Sequence, residues 1–268
     1  MWQRRLLALG LLLVLLALGQ RAPAQFSNFP PGVFLGHGAR DASGGGVSIA
    51  ALVGANNGAG GVLSPDTIVS GQSFSAGVVA CGFVSGVGAA SPTGMSMNGV
   101  NASQIGSTVT DGSFTNVEMW QAVVTAGTGN IVVSNGGTLG AVAISCWTIS
   151  GYSSSTPTAN ATFNGLSSTQ NDPQGPLGSL TVSSGGVAAI FIGATFQSGG
   201  ANPTSWVQAT RDSLVENGTA LGNGIASAGA HISSSGTYTG ITATGAGGAG
   251  GSGATSWQYS GMFGAAWH

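Results

Sequence analysis

From Val47 onward, hydrophobic positions fall in short runs, with Gly, Ser, Thr, Asn and Pro gathered between them. Turn residues recur about every eight to twelve positions, the spacing expected of an all-β sandwich or barrel. The runs predict strands over 47–53, 67–70, 74–84, 95–105, 114–126, 130–134, 139–150, 177–183, 186–196, 205–216, 225–233, 237–244 and 255–267. Asn130-Ile-Val-Val-Ser and Gly186-Val-Ala-Ala-Ile-Phe-Ile do not alternate, as expected of strands buried on both faces. In 114–126 the alternation wavers after Val117, which predicts a bulge there. Asn98-Gly99, between Met97 and Val100, predicts a type I′ hairpin turn.

Long helices are disfavoured. The 49 glycines are scattered along the chain, and each would cost a helix interior about 1 kcal/mol relative to Ala. The expected fold is all-β: a two-sheet antiparallel β-sandwich, jelly-roll-like, with a barrel as the other closed arrangement. Its length suits one large β domain or two small ones.

The first residues follow a different pattern. Arg4 and Arg5 precede an unbroken apolar run from Leu6 to Leu18, and Ala22-Pro23-Ala24 then places small residues at a cleavage site. This is the layout of a secretory signal. The apolar run is short of the roughly 20 residues that span a bilayer. The expected organisation is a signal peptide at 1–24, an irregular apolar arm at 25–46 and a β-sandwich domain at 47–268. The arm carries Phe26, Phe29, Val33, Phe34 and Leu35 among Pro30-Pro31 and several glycines. Such a segment needs a surface to dock on, in its own domain or a neighbour.

Charge narrows the function classes. Charged residues are 4% of the chain, against about 25% in an ordinary soluble domain. There is no Lys, and after signal removal only Arg40 and Arg211 remain, against seven acids. Two isolated Arg cannot neutralise a run of phosphates, so nucleic acid is not an expected partner. An anionic membrane surface is excluded on the same ground. Monomeric sheets normally protect their edges with charge, so its scarcity points to a homo-oligomer or larger assembly. Solubility maintained by Ser, Thr, Asn and Gln is the competing explanation.

Cys81 and Cys146 are the two cysteines. Export permits pairing. Val79, Cys81 and Phe83 share one face of a predicted strand, and Val142, Ile144 and Cys146 share one face of another. If both faces point inward, a bridge across the core is open to them; two free core thiols are the other reading.

Catalytic signatures are sparse. Gly245-x-Gly247-x-x-Gly250 matches a dinucleotide fingerprint by letter but sits in low-complexity sequence without a βαβ context. No Gly-x-Ser-x-Gly elbow occurs. His37, His231 and His268 are the available imidazoles; His231 alternates with Ala and Ile and reads as a strand position. No His or Cys pair has metal-ligand spacing. Asp212 and Glu216 read as neighbours on a solvated strand face, with Arg211 opposite. No catalytic residue, metal or cofactor is assigned. Trp120 and Trp147 read as core. Trp206, Trp257, Tyr238 and Tyr259 are the candidate binding residues, because aromatics near loops either stack on sugar rings or cap a core.

Several segments taken together resemble β-sandwich proteins of phage and prophage structural regions in alphaproteobacteria. They are VEMWQAVVTAGTGNIVVSNGG (117–137), AVAISCWTISGYSSSTPT (141–158), LTVSSGGVAAIFIGATF (180–196), TSWVQATRDSLVENGT (204–219) and a final Phe-Gly-Ala-Ala-Trp. The resemblance implies a tail, fibre or decoration component without catalysis and carries over no site residue. The secretory signal departs from that pattern, because virion proteins assemble in the cytoplasm. The expected function is a non-catalytic structural or interaction protein, secreted, at the cell surface or virion-associated. A secreted carbohydrate-binding module or adhesin, and a hydrolase with an unrecognised site, are the alternatives.

Overall fold

The computed structural model describes residues 46–56, 65–86, 92–110, 115–135, 142–165, 170–171, 173–196, 201–217, 224–247, 256–257 and 259–268. The signal, the arm up to residue 45 and most of the low-complexity run at 245–254 lie outside the described residues. The described residues belong to one compact unit, Gly44–His268. Among them, no helix is long and apolar enough to cross a membrane.

The first half contains β1 (Ser48–Asn56), β2 (Asp66–Phe74), β3 (Gly77–Gly86), β4 (Pro92–Met97), β5 (Val100–Asn101), β6 (Ser103–Thr110), β7 (Thr115–Val124), β8 (Gly127–Asn135) and β9 (Val142–Ser150). Five of these form a sheet in the order β1-β9-β3-β7-β6, and the others form a sheet in the order β2-β8-β4-β5. The second half contains β10 (Ala159–Asn164), β11 (Gln170–Asn171), β12 (Leu180–Val182), β13 (Val187–Phe196), β14 (Ala201–Val207), β15 (Thr210–Asn217), β16 (Gly224–Ile232), β17 (Gly236–Tyr238), β18 (Thr242–Gly247), β19 (Ser256–Trp257) and β20 (Tyr259–Trp267). Its five-stranded sheet has the order β10-β20-β13-β16-β15, and β12-β17, β14-β18 and β11-β19 form separate pairs.

The two halves repeat one plan. β1, β9, β3, β7 and β6 take the places that β10, β20, β13, β16 and β15 take in the second half. The place of β8 is divided between β17 and β18. Registers agree as well: Val78 pairs with Ile149 as Val187 pairs with Trp267. Ala80 pairs with Gln121 as Ala189 pairs with His231. β4 and β14 each lose register just after a proline, Pro92 and Pro203. The expected antiparallel β-sandwich is therefore present twice, in tandem.

Three apolar clusters separate four layers. One lies between the two five-stranded sheets and includes Val78, Ala80, Val84, Trp147, Phe191, Phe263 and Trp267. A second joins the first half's five-stranded sheet to β2, β4 and β8 through Cys81, Phe83, Met97, Trp120, Ile131 and Cys146. The third joins the second half's sheet to its outer strands through Leu180, Ile190, Ile192, Ile241 and Met262. The five-stranded sheets are thus covered on both faces, as the unbroken apolar run of β13 led one to expect. β8, expected to be buried on both faces too, lies in an outer sheet, where Ile131 and Val133 are buried and Val132 and Ser134 only half-buried. Coverage on both faces also explains the wavering pattern in β7, whose odd and even residues face different cores. β7 itself pairs regularly with β3; the bulge lies opposite it in β6, between Ile105 and Val109. Asn98 and Gly99 have φ of 52° and 76°, both positive, as the type I′ turn requires. β10 was not expected; its ANATFN sequence carries only Ala161 fully to the core side.

Cys81 and Cys146 form a disulfide with Cα atoms 4.1 Å apart. Both face the outer core of the first half, as the shared-face pattern predicted. The bridge does not cross that core. The two residues are direct cross-strand partners in β3 and β9. At the matching place in the second half stand Ile190 and Gly264. A Cβ on Gly264 would come within 2.8 Å of Leu177, so core side chains fill the space that the disulfide takes in the first half.

Candidate functional site

Two ionisable clusters meet other polar groups inside the described fold. The first lies where the two five-stranded sheets face each other. β15 carries one extra residue: Arg211 pairs with Ala230 and Ser213 pairs with Gly229, leaving Asp212 in the bulge. The Asp212 carboxylate turns towards the seam between the halves. Trp147 of β9 donates from Nε1 to Asp212 Oδ2 at 2.8 Å. His231 of β16 donates from Nδ1 to Asp212 Oδ1 at 2.6 Å. The side chains of His231 and Asp212 are 24% and 8% exposed. Asp212 therefore does not lie on a solvated strand face as its spacing suggested; its side of β15 faces the other sheet, and the bulge shifts the register of the residues that follow it. The side chain of Glu216 lies outside the described residues.

The halves match at this place too. Gln121 holds the position in β7 that His231 holds in β16. Trp267, entering from the second half, donates to Gln121 Oε1 at 3.3 Å. Each half thus extends an indole across the seam to a polar acceptor of the other. The first-half indole meets a carboxylate, and the second-half indole meets an amide.

The other cluster lies within the first half. Glu118 is 1% exposed. Its Oε2 accepts from Trp120 Nε1 at 2.7 Å, and its Oε1 accepts from Thr108 at 2.9 Å. Thr108 belongs to the irregular stretch of β6 and also accepts from Gln104 Nε2 at 2.9 Å. Both side-chain oxygens are thereby hydrogen-bonded, as buried polar groups require.

An Asp–His pair with a fixed Nδ1 is half of a nucleophile-activating system. Among the described residues, no hydroxyl hydrogen-bonds His231. Among the same residues, no three His, Cys, Asp or Glu side chains come together as metal ligands.

The aromatic binding candidates are dispersed. Trp206 lies in β14 and Tyr238 in β17, and both lean, partly buried, on the core of the second half. The Trp206 Nε1 is buried and has no hydrogen-bond partner among the described residues. Tyr238 donates its hydroxyl to the Ser234 carbonyl at 2.8 Å. The backbones of Trp257 and Tyr259 belong to β19 and β20, and their side chains lie outside the described residues. Trp120 and Trp147 are core, as read from the sequence. The cross-seam bonds of Trp147 and Trp267 had no sequence signal, because they join separate strands of separate halves.

No protein-family model, curated protein or solved structure matches this chain in comparison.

Proposed function

We propose that this chain is an exported, non-catalytic structural or interaction protein that acts through its β-sandwich surfaces in an assembly. The observation that carries the reading is where the reactive side chains are placed. Glu118 has both oxygens bonded within the first half, and Asp212 is shared between Trp147 and His231. These groups hold indoles and strands together instead of converging on an open site. The disulfide supports export, since such bridges persist in oxidising compartments. The strand orders β1-β9-β3-β7 and β2-β8-β4-β5 support reading the first half as a jelly roll, an architecture shared by capsid and lectin domains. That is an analogy of fold, and it agrees with the resemblance to virion sandwich proteins. The lean of Trp206 and Tyr238 on the core favours core capping over sugar stacking for those two residues.

Light scattering on the chain without its signal tests the reading. The expected result is one defined species larger than a monomer. A monodisperse monomer at every concentration overturns the assembly role.

A further inference from the structure

The outermost strands of the two five-stranded sheets are β1, β6, β10 and β15. An outermost strand has a row of backbone N–H and C=O groups that no sheet neighbour satisfies. Three of the four are blunted. β6 loses register between Ile105 and Val109, with Gly106 at a φ of +63°. β10 is met from outside by Gly178, whose N–H bonds the Thr162 carbonyl at 3.2 Å. β15 has the Asp212 bulge and the exposed, charged Arg211. β1 is different. Its sequence SIAALVGAN has no charge and no proline. Its one irregularity falls between Ala51 and Val53, leaving Ser48–Ala51 in regular pairing with β9. Ser48, Ala50 and Ala51 are exposed. Among the described residues, no backbone group of 48–55 bonds anything beyond β9. β15 of the facing layer runs beside β1 without such a bond.

We propose that the outer edge of β1 over Ser48–Ala51 pairs antiparallel with the same segment of a second copy of this chain, extending the first half's five-stranded sheet across a two-fold axis. The inference rests on the assembly reading above and names its contact. A second copy fits because the edge is complementary to itself. An antiparallel pair about a two-fold places β1 opposite β1, and an uncharged strand brings no like charges together there. The small side chains of Ser48, Ala50 and Ala51 let the added strand approach closely. The chain also lacks the lysines with which monomeric proteins guard such edges.

The test compares the chain without its signal with Ala50→Lys and Ala50→Ser, using light scattering over a concentration series together with hydrogen exchange. Ala50 is exposed, so neither substitution disturbs a core. The Lys places like charges near each other across the axis and weakens self-association roughly tenfold, whereas the Ser leaves it unchanged. In the wild type, amides of 49–51 gain protection as concentration rises. Circular dichroism confirms that all three chains are folded. If the oligomer forms but Ala50→Lys leaves it intact, or amides 49–51 gain no protection, the β1 contact is wrong while the assembly reading stands. If the wild type is always a monomer, both fall.

Discussion

At the scale of single residues, the link that matters most is Trp147–Asp212–His231, because it joins the halves with a carboxylate that is 8% exposed. Asp212→Ala leaves the buried Trp147 N–H without an acceptor and separates it from His231. An orphaned buried donor costs about 1–3 kcal/mol, and denaturant unfolding should record a loss of that size. His231→Gln should cost less. Glutamine already stands at the corresponding place in β7, where it accepts a bond from Trp267, and Trp147 keeps its own acceptor in this variant. Equal losses from the two substitutions would show that the imidazole, and not the indole bond, carries the contact. None of this was readable in the sequence. The alternation of TRDSLVEN reads as placing Asp212 and Glu216 on one outward face; the pairing with β16 instead sets Asp212 beside His231 and shifts the register of the residues that follow it. A bulge shows itself in pairing, and pairing involves the partner strand as much as the bulged one.

Among elements, β3 and β13 are decisive, since they run through the centres of the two sheets that face each other. They fit by exchanging large and small residues at matching positions. The Phe191 ring fills the place where a Cβ on Gly82 would stand, and Val84 comes within 2.5 Å of a Cβ built on Gly193. In the shared register, Gly82 corresponds to Phe191 and Val84 to Gly193. Each half therefore supplies one knob and one hole. Gly82→Ala forces Phe191 or the sheet to move, and overpacking of this kind costs about 1–3 kcal/mol. Pairing it with Phe191→Leu should recover part of the loss, measured as a coupling energy in a double-mutant cycle. Strict additivity would mean that the two sheets do not meet at this point. The burial of β13 on both faces was legible from its unbroken apolar run, whereas β3 was read only on the face of Val79, Cys81 and Phe83. The contact between the two strands was not legible, because a glycine in a strand reads as a bulge or a close approach without naming what approaches.

For the whole molecule, the question is whether two sandwiches in tandem behave as one cooperative unit. The repeat escaped the sequence because little of it is written in side chains. Gly77-Val78 matches Gly186-Val187, and Pro92-Thr93 matches Pro203-Thr204, but the central disulfide of one half corresponds to Ile190 and Gly264 in the other. What is repeated is strand order and register, which depend on backbone pairing and tolerate almost any apolar filling. The core between the halves contains Trp147 and Trp267, both fully buried, together with Phe191 and Phe263. Either half alone would expose that face to water, at a cost of roughly 1.5–3 kcal/mol for each large side chain. The halves should therefore unfold together, and calorimetry should show one transition whose van't Hoff and calorimetric enthalpies agree. The disulfide sharpens the test because it lies in the first half only. It closes a loop with a sequence separation of 65, for which chain entropy predicts a contribution of about 4 kcal/mol. In a chain of this size, Cys81→Ala with Cys146→Ala should lower the midpoint by roughly 10 °C. Because the inner core is common to both halves, the whole transition should move and remain single. If instead the double variant splits the trace, with one component unshifted, then the second half stands without the first and the four layers are two separate folds in contact.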